Sequence, residues 1–184
     1  MDALTVLQQR VSSAILNDPA PSQDQLNDMF KAALRAPDHG GLTPWRFLII
    51  QGEARQTFSD ALYEIRQSEG VTGRGLNKMK TIGLRAPMII VSIASLQQSD
   101  KIPDVEQDWS AAAATQNLIL AAEALGLGAI WRSGWPAFHP EVNQLLGLTG
   151  NEKIVGYVYL GQRPDERRPI TPLAIDDYVS EWSA

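Results

Sequence analysis

The chain contains no cysteine. That absence excludes disulfides, a nucleophilic thiol and thiolate metal sites together. It has only two histidines, His39 and His139, too few for an imidazole-built metal centre. No calcium-loop pattern stands in for one. No apolar run reaches the ~18 residues of a membrane span. The opening Met1-Asp2-Ala3-Leu4 lacks the basic segment and apolar core of a signal peptide, so the expectation is a cytoplasmic protein with no membrane partner. Lys and Arg number 16 against 21 Asp and Glu, a net charge of −5, and no basic run occurs. Nucleic acid is therefore not an expected partner.

Several chemical signatures are also missing. No G-x-G-x-x-G follows a strand, so no Rossmann dinucleotide site is expected. No G-x-S-x-G elbow occurs, although sequence leaves open a Ser/His/Asp triad built on His39 or His139. Gly70-Val71-Thr72-Gly73-Arg74-Gly75 begins like a phosphate loop, but Leu76 stands where the lysine is needed. That segment reads as a flexible connector, a mobile lid or a crossing segment.

What is present is an ordinary globular composition, 44% hydrophobic and 20% charged over 184 residues. Residues 1–184 read as one domain, with no repeat or linker. Asp2 caps a first helix that ends near Gln9-Arg10-Val11-Ser12-Ser13. Ser22 with Gln25 forms a capping box, and Leu26, Met29, Phe30, Ala33 and Leu34 then keep helical spacing. A strand is expected over Trp45–Gln51, buried along Phe47–Ile50, and a helix over Ala54–Ile65. Pro87–Ile93 reads as a second buried strand. Asp104 with Gln107 reads as another capping box, opening a helix over Val105–Leu125. That helix is apolar nearly all round, which fits burial in a subunit interface. Short strands follow at Ala129–Trp131 and Ile154–Gly161, with a helix opened by Pro140 and Glu141 between them. The fold class is α+β on a mixed sheet flanked by helices.

Between the second helix and the first strand lies Leu34-Arg35-Ala36-Pro37-Asp38-His39-Gly40-Gly41-Leu42-Thr43-Pro44. Pro37 and Pro44 fix φ at both ends, and the glycine pair permits close backbone approach. The loop reads either as a ligand-facing element or as a plain helix-to-strand turn in which His39 bonds locally. Across the chain, Arg10 with Ser12, Arg35 with His39, and Arg132 with Ser133 form donor sets without a nucleophile. Guanidinium and hydroxyl groups both donate to phosphate oxygens. Donors of this kind suit an anionic cofactor that carries the chemistry itself, so no catalytic side chain is assigned.

Arg10-x-Ser12, Ala36-Pro37…Pro44-Trp45-x-Phe47, Arg85-Ala86-Pro87 and Gly128-Ala129-Ile130-Trp131-Arg132-Ser133-Gly134 occur in this order from Met1 to about Gly161. The ordered set resembles the FMN-dependent nitroreductase family. It most resembles the small YdjA-type NAD(P)H nitroreductases, where Arg-Ala-Pro-Asp-His and Ile-Trp-Arg-Ser-Gly recur in this form. The resemblance implies an intertwined homodimer with FMN at the interface. By position, it implies that Arg10, Val11 and Ser12 hold the FMN phosphate, and that Arg35 and His39 reach the FMN of the other subunit. Trp131, Arg132 and Ser133 line the isoalloxazine, with a backbone N–H facing N5. Ala121, Ala122, Glu123, Ala124, Leu125 and Gly126 border the nicotinamide. The implied activity is a ping-pong NAD(P)H oxidoreductase, passing hydride through FMN N5 to a nitroaromatic, a quinone or a similar small acceptor. The alternative is an FMN-binding protein of the same fold used for flavin breakdown, dehalogenation or sensing. The chain departs from the family in three places. The doubled arginine is here Arg10-Val11, the Gly70–Gly75 stretch matches poorly, and so does the tail, where Arg167 or Arg168 is the candidate for a second phosphate cation.

Overall fold

The computed structural model describes residues 2–183. Asp2 accepts from the Thr5 N–H and opens α1 (Ala3–Gln9), whose Val6 turns inward while Leu4 and Leu7 stay exposed. In α2 (Gln23–Ala33) both bonds of the Ser22/Gln25 capping box are made. Leu26, Met29 and Ala33 form its buried stripe. The helix ends at Ala33, ahead of Pro37, as the steric restriction on the residue before proline requires.

Four strands form one sheet: β1 (Trp45–Gln51), β2 (Met88–Ser95), β3 (Leu127–Arg132) and β4 (Glu152–Gln162), in the order β1-β2-β4-β3. Every neighbouring pair is antiparallel, not mixed. The reason is topological. The crossover helix α5 (Asp104–Ala124) returns the chain so that β3 runs parallel to β2, but β4 then inserts between them. The position of β1 also corrects an expectation. It is an edge strand, with only Trp45 and Ile50 buried and Ile49 exposed. The continuously buried strand is β2, in the interior of the sheet.

Alternation along the strands divides the core into two layers. Met88, Ile90, Val158 and Leu160 face α2 and α5. Ile89, Val91, Ile93, Tyr157 and Tyr159 face α3 (Ala54–Ser68) and the 3-10 turn Lys78–Leu84. The Gly70–Gly75 stretch is not a bare connector: Gly70 closes α3, and Gly73 begins the short α4 (Gly73–Asn77). A further short helix, α6 (Pro140–Leu145), precedes β4.

The helix α5 is less uniform than its composition. Ala111, Ala114, Thr115, Leu118, Ile119 and Ala122 are buried at helical spacing against the sheet and α2. Thr115 Oγ1 bonds Ala111 O and meets Ser92 Oγ of β2, locking helix to sheet. On another side Trp109 is 65% exposed. No Asp104/Gln107 capping box forms. Pro103 is the N-cap, and the buried Gln107 amide instead clasps both backbone groups of Gln97.

Candidate functional site

Arg10, Ser12, Trp131 and Ser133, four of the residues singled out from sequence, line one cavity of about 360 Å³ together with Gln116 and Ile119 of α5. That volume lies within the ~300–1,000 Å³ of small-molecule sites. Each residue comes from an element end. Arg10 caps the C-terminus of α1, and Ser13 N–H bonds Ala129 O to lay the following segment along β3. Trp131 lies near the end of β3, and Ser133 just beyond it.

The Trp131 ring is set by its neighbours. β2 and β4 slip register between Ser92 and Ile93, making Val155 an extra residue in β4. Its carbonyl accepts from Trp131 Nε1 at 3.3 Å. Next to it, a Cβ on Gly156 would come within 2.0 Å of Trp131 Nε1. Glycine at 156 is therefore what lets the indole cross β4. Neither Gly156 nor Gln116 was apparent as a site residue from sequence. Gln116 did carry a signal, as a polar residue inside an apolar helical run.

No acidic residue lines this cavity, and Arg10 forms no ion pair among the described residues. An unpaired guanidinium beside hydroxyls and a flat indole is a donor set that fits FMN: a phosphate at one end and a planar ring at the other.

The other singled-out residues lie elsewhere. Arg132 alternates to the opposite face of the sheet and lines a separate cavity of about 510 Å³, which shares Ser133 with the first. Val11 lines a third, of about 220 Å³, with Ser12 and Glu123. The turn Ala121–Gly126 ends α5. Ala122 and Glu123 are buried, Ala121 and Leu125 partly so, and Ala124 and Gly126 are exposed. Glu123 Oε1 accepts from Arg163 at 2.8 Å and from Arg167 at 2.6 Å. Arg167 also donates to Gln9 O at 3.0 Å, tying the tail to the end of α1. Arg167 thus already has an acid partner, which it shares with Arg163.

Arg35 and His39 stand apart from the cavity. Asp38 Oδ2 accepts from the Thr43 N–H at 2.6 Å, so Asp38, not His39, holds the loop turn. Gly40, Gly41 and Thr43 adopt positive φ there. Nδ1 of His39 meets Oε2 of Glu106 at 2.7 Å, a partner on α5 that sequence did not reveal. Glu106 and the cavity residue Gln116 are ten positions apart on α5, about 15 Å along the axis at ~1.5 Å per residue. Neither Arg35 nor His39 lines the cavity of Arg10 in its own chain.

Comparison with known proteins follows this geometry. The nitroreductase family model matches residues 7–162. The Escherichia coli protein named "Putative NAD(P)H nitroreductase YdjA" is 40% identical over 161 residues, 88% of each chain. A Haemophilus influenzae protein of the same general name is 35% identical over 162 residues, again 88% of each. Among solved structures, a nitroreductase-like family protein from Bacillus cereus superposes with a TM-score of 0.82 at 25% identity, covering 100% of this chain and 97% of that one. A Bacteroides fragilis nitroreductase with bound FMN gives 0.75 at 19% identity over the whole of both chains, a likeness of fold.

Proposed function

The chain belongs to the nitroreductase family, and from that premise we propose that it is an FMN-dependent NAD(P)H oxidoreductase acting on a small electron acceptor such as a nitroaromatic or a quinone. The observation that carries this reading is the cavity in which Arg10, Ser12, Trp131 and Ser133 converge without an acid. Bound there, FMN supplies a two-electron carrier between NAD(P)H and the acceptor. Arg10 and Ser12 donate to its phosphate, with Val11 contributing backbone. Trp131 offers a flat face and Ser133 a hydroxyl at the ring end. The Ala121–Gly126 turn borders the nicotinamide, backed by the buried Ala122 and Glu123.

The active form is a homodimer in which Arg35 and His39 of one copy serve the flavin of the other. Three features support this. His39, held by Glu106, lies about 15 Å along α5 from Gln116 of its own cavity. Leu4 and Leu7 of α1 and Trp109 of α5 are exposed. The tail exposes Leu173, Ile175, Tyr178 and Trp182, apolar groups unpacked by their own chain. None of the described helices is long and apolar enough to cross a membrane, in keeping with a cytoplasmic enzyme.

The test is direct. The purified protein is denatured, its released chromophore identified, and oxidation of NAD(P)H followed with nitrobenzene and with a quinone. FMN together with acceptor-dependent oxidation is the expected result. FAD, or no flavin after reconstitution, overturns the cofactor. Bound FMN without NAD(P)H oxidation overturns the reductase reading in favour of flavin breakdown, dehalogenation or sensing.

A further inference from the structure

A second cavity, of about 510 Å³, lies across the sheet from the one just described. Arg66, Lys78, Arg85 and Arg132 all line it, and among the described residues no acidic one does. In a chain of net charge −5 that is a local reversal. Arg66 is compensated: it bonds Glu69 at 2.7 Å and lies 4.5 Å over the Trp135 ring. Lys78, Arg85 and Arg132 form no ion pair among the described residues. Arg132 Nε is buried with no hydrogen-bond partner. Burial pushes the Tyr159 phenol above its ordinary pKa, and the charges of Arg85 and Arg132 act against that rise, so both cations bear on one wall of the cavity. Partly buried, unpaired cations such as Arg85 and Arg132 are unfavourable until an anion joins them. Much of the remaining lining is aromatic: Phe58, Trp135, Tyr157 and Tyr159. Ser133 lines this cavity and the proposed flavin cavity alike, so the two meet just beyond the end of β3.

We propose that this cavity receives the anionic end of the electron acceptor, and that the acceptors are aromatic acids: a planar ring beside Trp135, its carboxylate held by Arg85 and Arg132. This rests on the reductase reading and specifies its substrate class. For a nitro acid the balance is simple. NAD(P)H gives up a hydride, carrying two electrons, and becomes NAD(P)+. The nitro group takes those electrons and two protons, one originating with the hydride and one from solvent. It becomes a nitroso group and loses one oxygen as water.

The experiment uses the flavin-loaded protein with two probes of similar shape, para-nitrobenzoate and nitrobenzene. Wild type is expected to show the lower KM for the acid. A charge-assisted bond of ordinary strength predicts that Arg85→Ala raises the KM for nitrobenzoate about tenfold or more. The same variant leaves nitrobenzene within about twofold, and Arg85→Lys restores part of the difference. Calorimetric binding of benzoate, which is not reduced, should follow the same order. Equal losses for both probes, or no preference for the acid in wild type, overturn the proposal. A KM for NADPH that rises while that for nitrobenzoate stays fixed also overturns it, reassigning the cations to the nicotinamide nucleotide. Loss of FMN from Arg85→Ala overturns it as well, by making the cavity part of the flavin site. If no acceptor is turned over, the reductase reading fails and the acceptor assignment with it. Benzoate binding abolished by Arg85→Ala would in that case retain the anion site alone.

Discussion

The two ends of α5 each carry a glutamate, and the two are used differently. At the C-terminal end Glu123 is buried beneath Arg163 and Arg167, and through Arg167 it fastens the tail to the last carbonyl of α1. At the N-terminal end Glu106 meets His39 on the surface, beside a loop whose arginine, Arg35, is exposed. The first end is completed within one chain. The second holds two donors on a loop, neither of which lines its own chain's cavity. A buried, triangulated charge marks structure that must exist before a site does. An exposed donor pair on a loop is instead open to a contact from outside its own chain.

The sharpest way to break that contrast is to remove the buried acid. Glu123→Ala leaves two arginines without their carboxylate, and loss of one member of a buried ion pair costs about 3–5 kcal/mol. For a chain of this length, that lowers Tm by roughly 6–20 °C. Thermal unfolding checks it, and a shift of only a degree or two would place Glu123 on the same footing as Glu106.

Next comes the cavity beside the fastened end. A charge-assisted hydrogen bond to phosphate is worth about 1.5–3 kcal/mol. Arg10→Ala should therefore weaken FMN about ten- to a hundredfold, measured by flavin fluorescence titration, with the Tm of the flavin-free protein unchanged. Undiminished affinity would make Arg10 a solvated helix cap.

A third ion pair lies between the two extremes. Arg46 grips Glu152 with Nε and Nη2, the latter at 2.7 Å, and the Thr149 N–H donates to the same carboxylate. The Arg46 bonds, helped by that of Thr149 and opposed by burial, hold the Glu152 carboxyl down to about 2 from an ordinary 4.5. Because the folded value is the lower one, this contribution is complete above about 4.5 and is lost as pH falls toward 2. Glu152→Gln should be less stable at neutral pH and lose less stability across that window. Parallel acid-unfolding curves would contradict it.

The loop at the open end is tested across subunits. Copies carrying Arg10→Ala are mixed with copies carrying Arg35→Ala and His39→Ala. If the loop serves the other copy's flavin, one site in the mixed dimer has both defects and the other has neither. Activity then recovers to about half that of wild type, each intact site acting alone. If the loop serves its own copy, each site keeps one defect and no recovery follows. The smallest effect belongs to the exposed pair itself. A double-mutant cycle on His39 and Glu106 should give about 0–1 kcal/mol of coupling in stability. A value near that of the Glu123 cluster would mean that the loop is structural after all.

Much of the fold could be read from the sequence because its signals are local. The Ser22–Gln25 box, the stop before Pro37 and the helical spacing of α2 act within one or two turns of backbone. The misreadings have a common cause. Phe47–Ile50 has the composition of an interior strand, but burial depends on having neighbours on both sides, and β1 has only β2. Asp104 and Gln107 have capping-box spacing, but the Gln97 backbone, ten residues away in the chain, gave Gln107 a better partner. For the site, the resemblance singled out Arg10, Ser12, Trp131 and Ser133. Gly156, Gln116 and Glu106 join them only through packing.

By itself the sequence determined the class of this protein. It lacks thiols and a dinucleotide fingerprint, carries its donors at helix and strand ends, and keeps the family's motifs in order. All of these are properties of residue type and spacing along one chain. Only the tertiary structure decided the allocation of those donors. It set Trp131 and Arg132, adjacent in the chain, in different cavities, because successive side chains of a strand point to opposite faces. It also gave Glu123 to Arg163 and Arg167, and His39 to Glu106. Charge and hydrogen-bond partnership is settled by distance in space, and that distance is set by how the sheet and α5 pack.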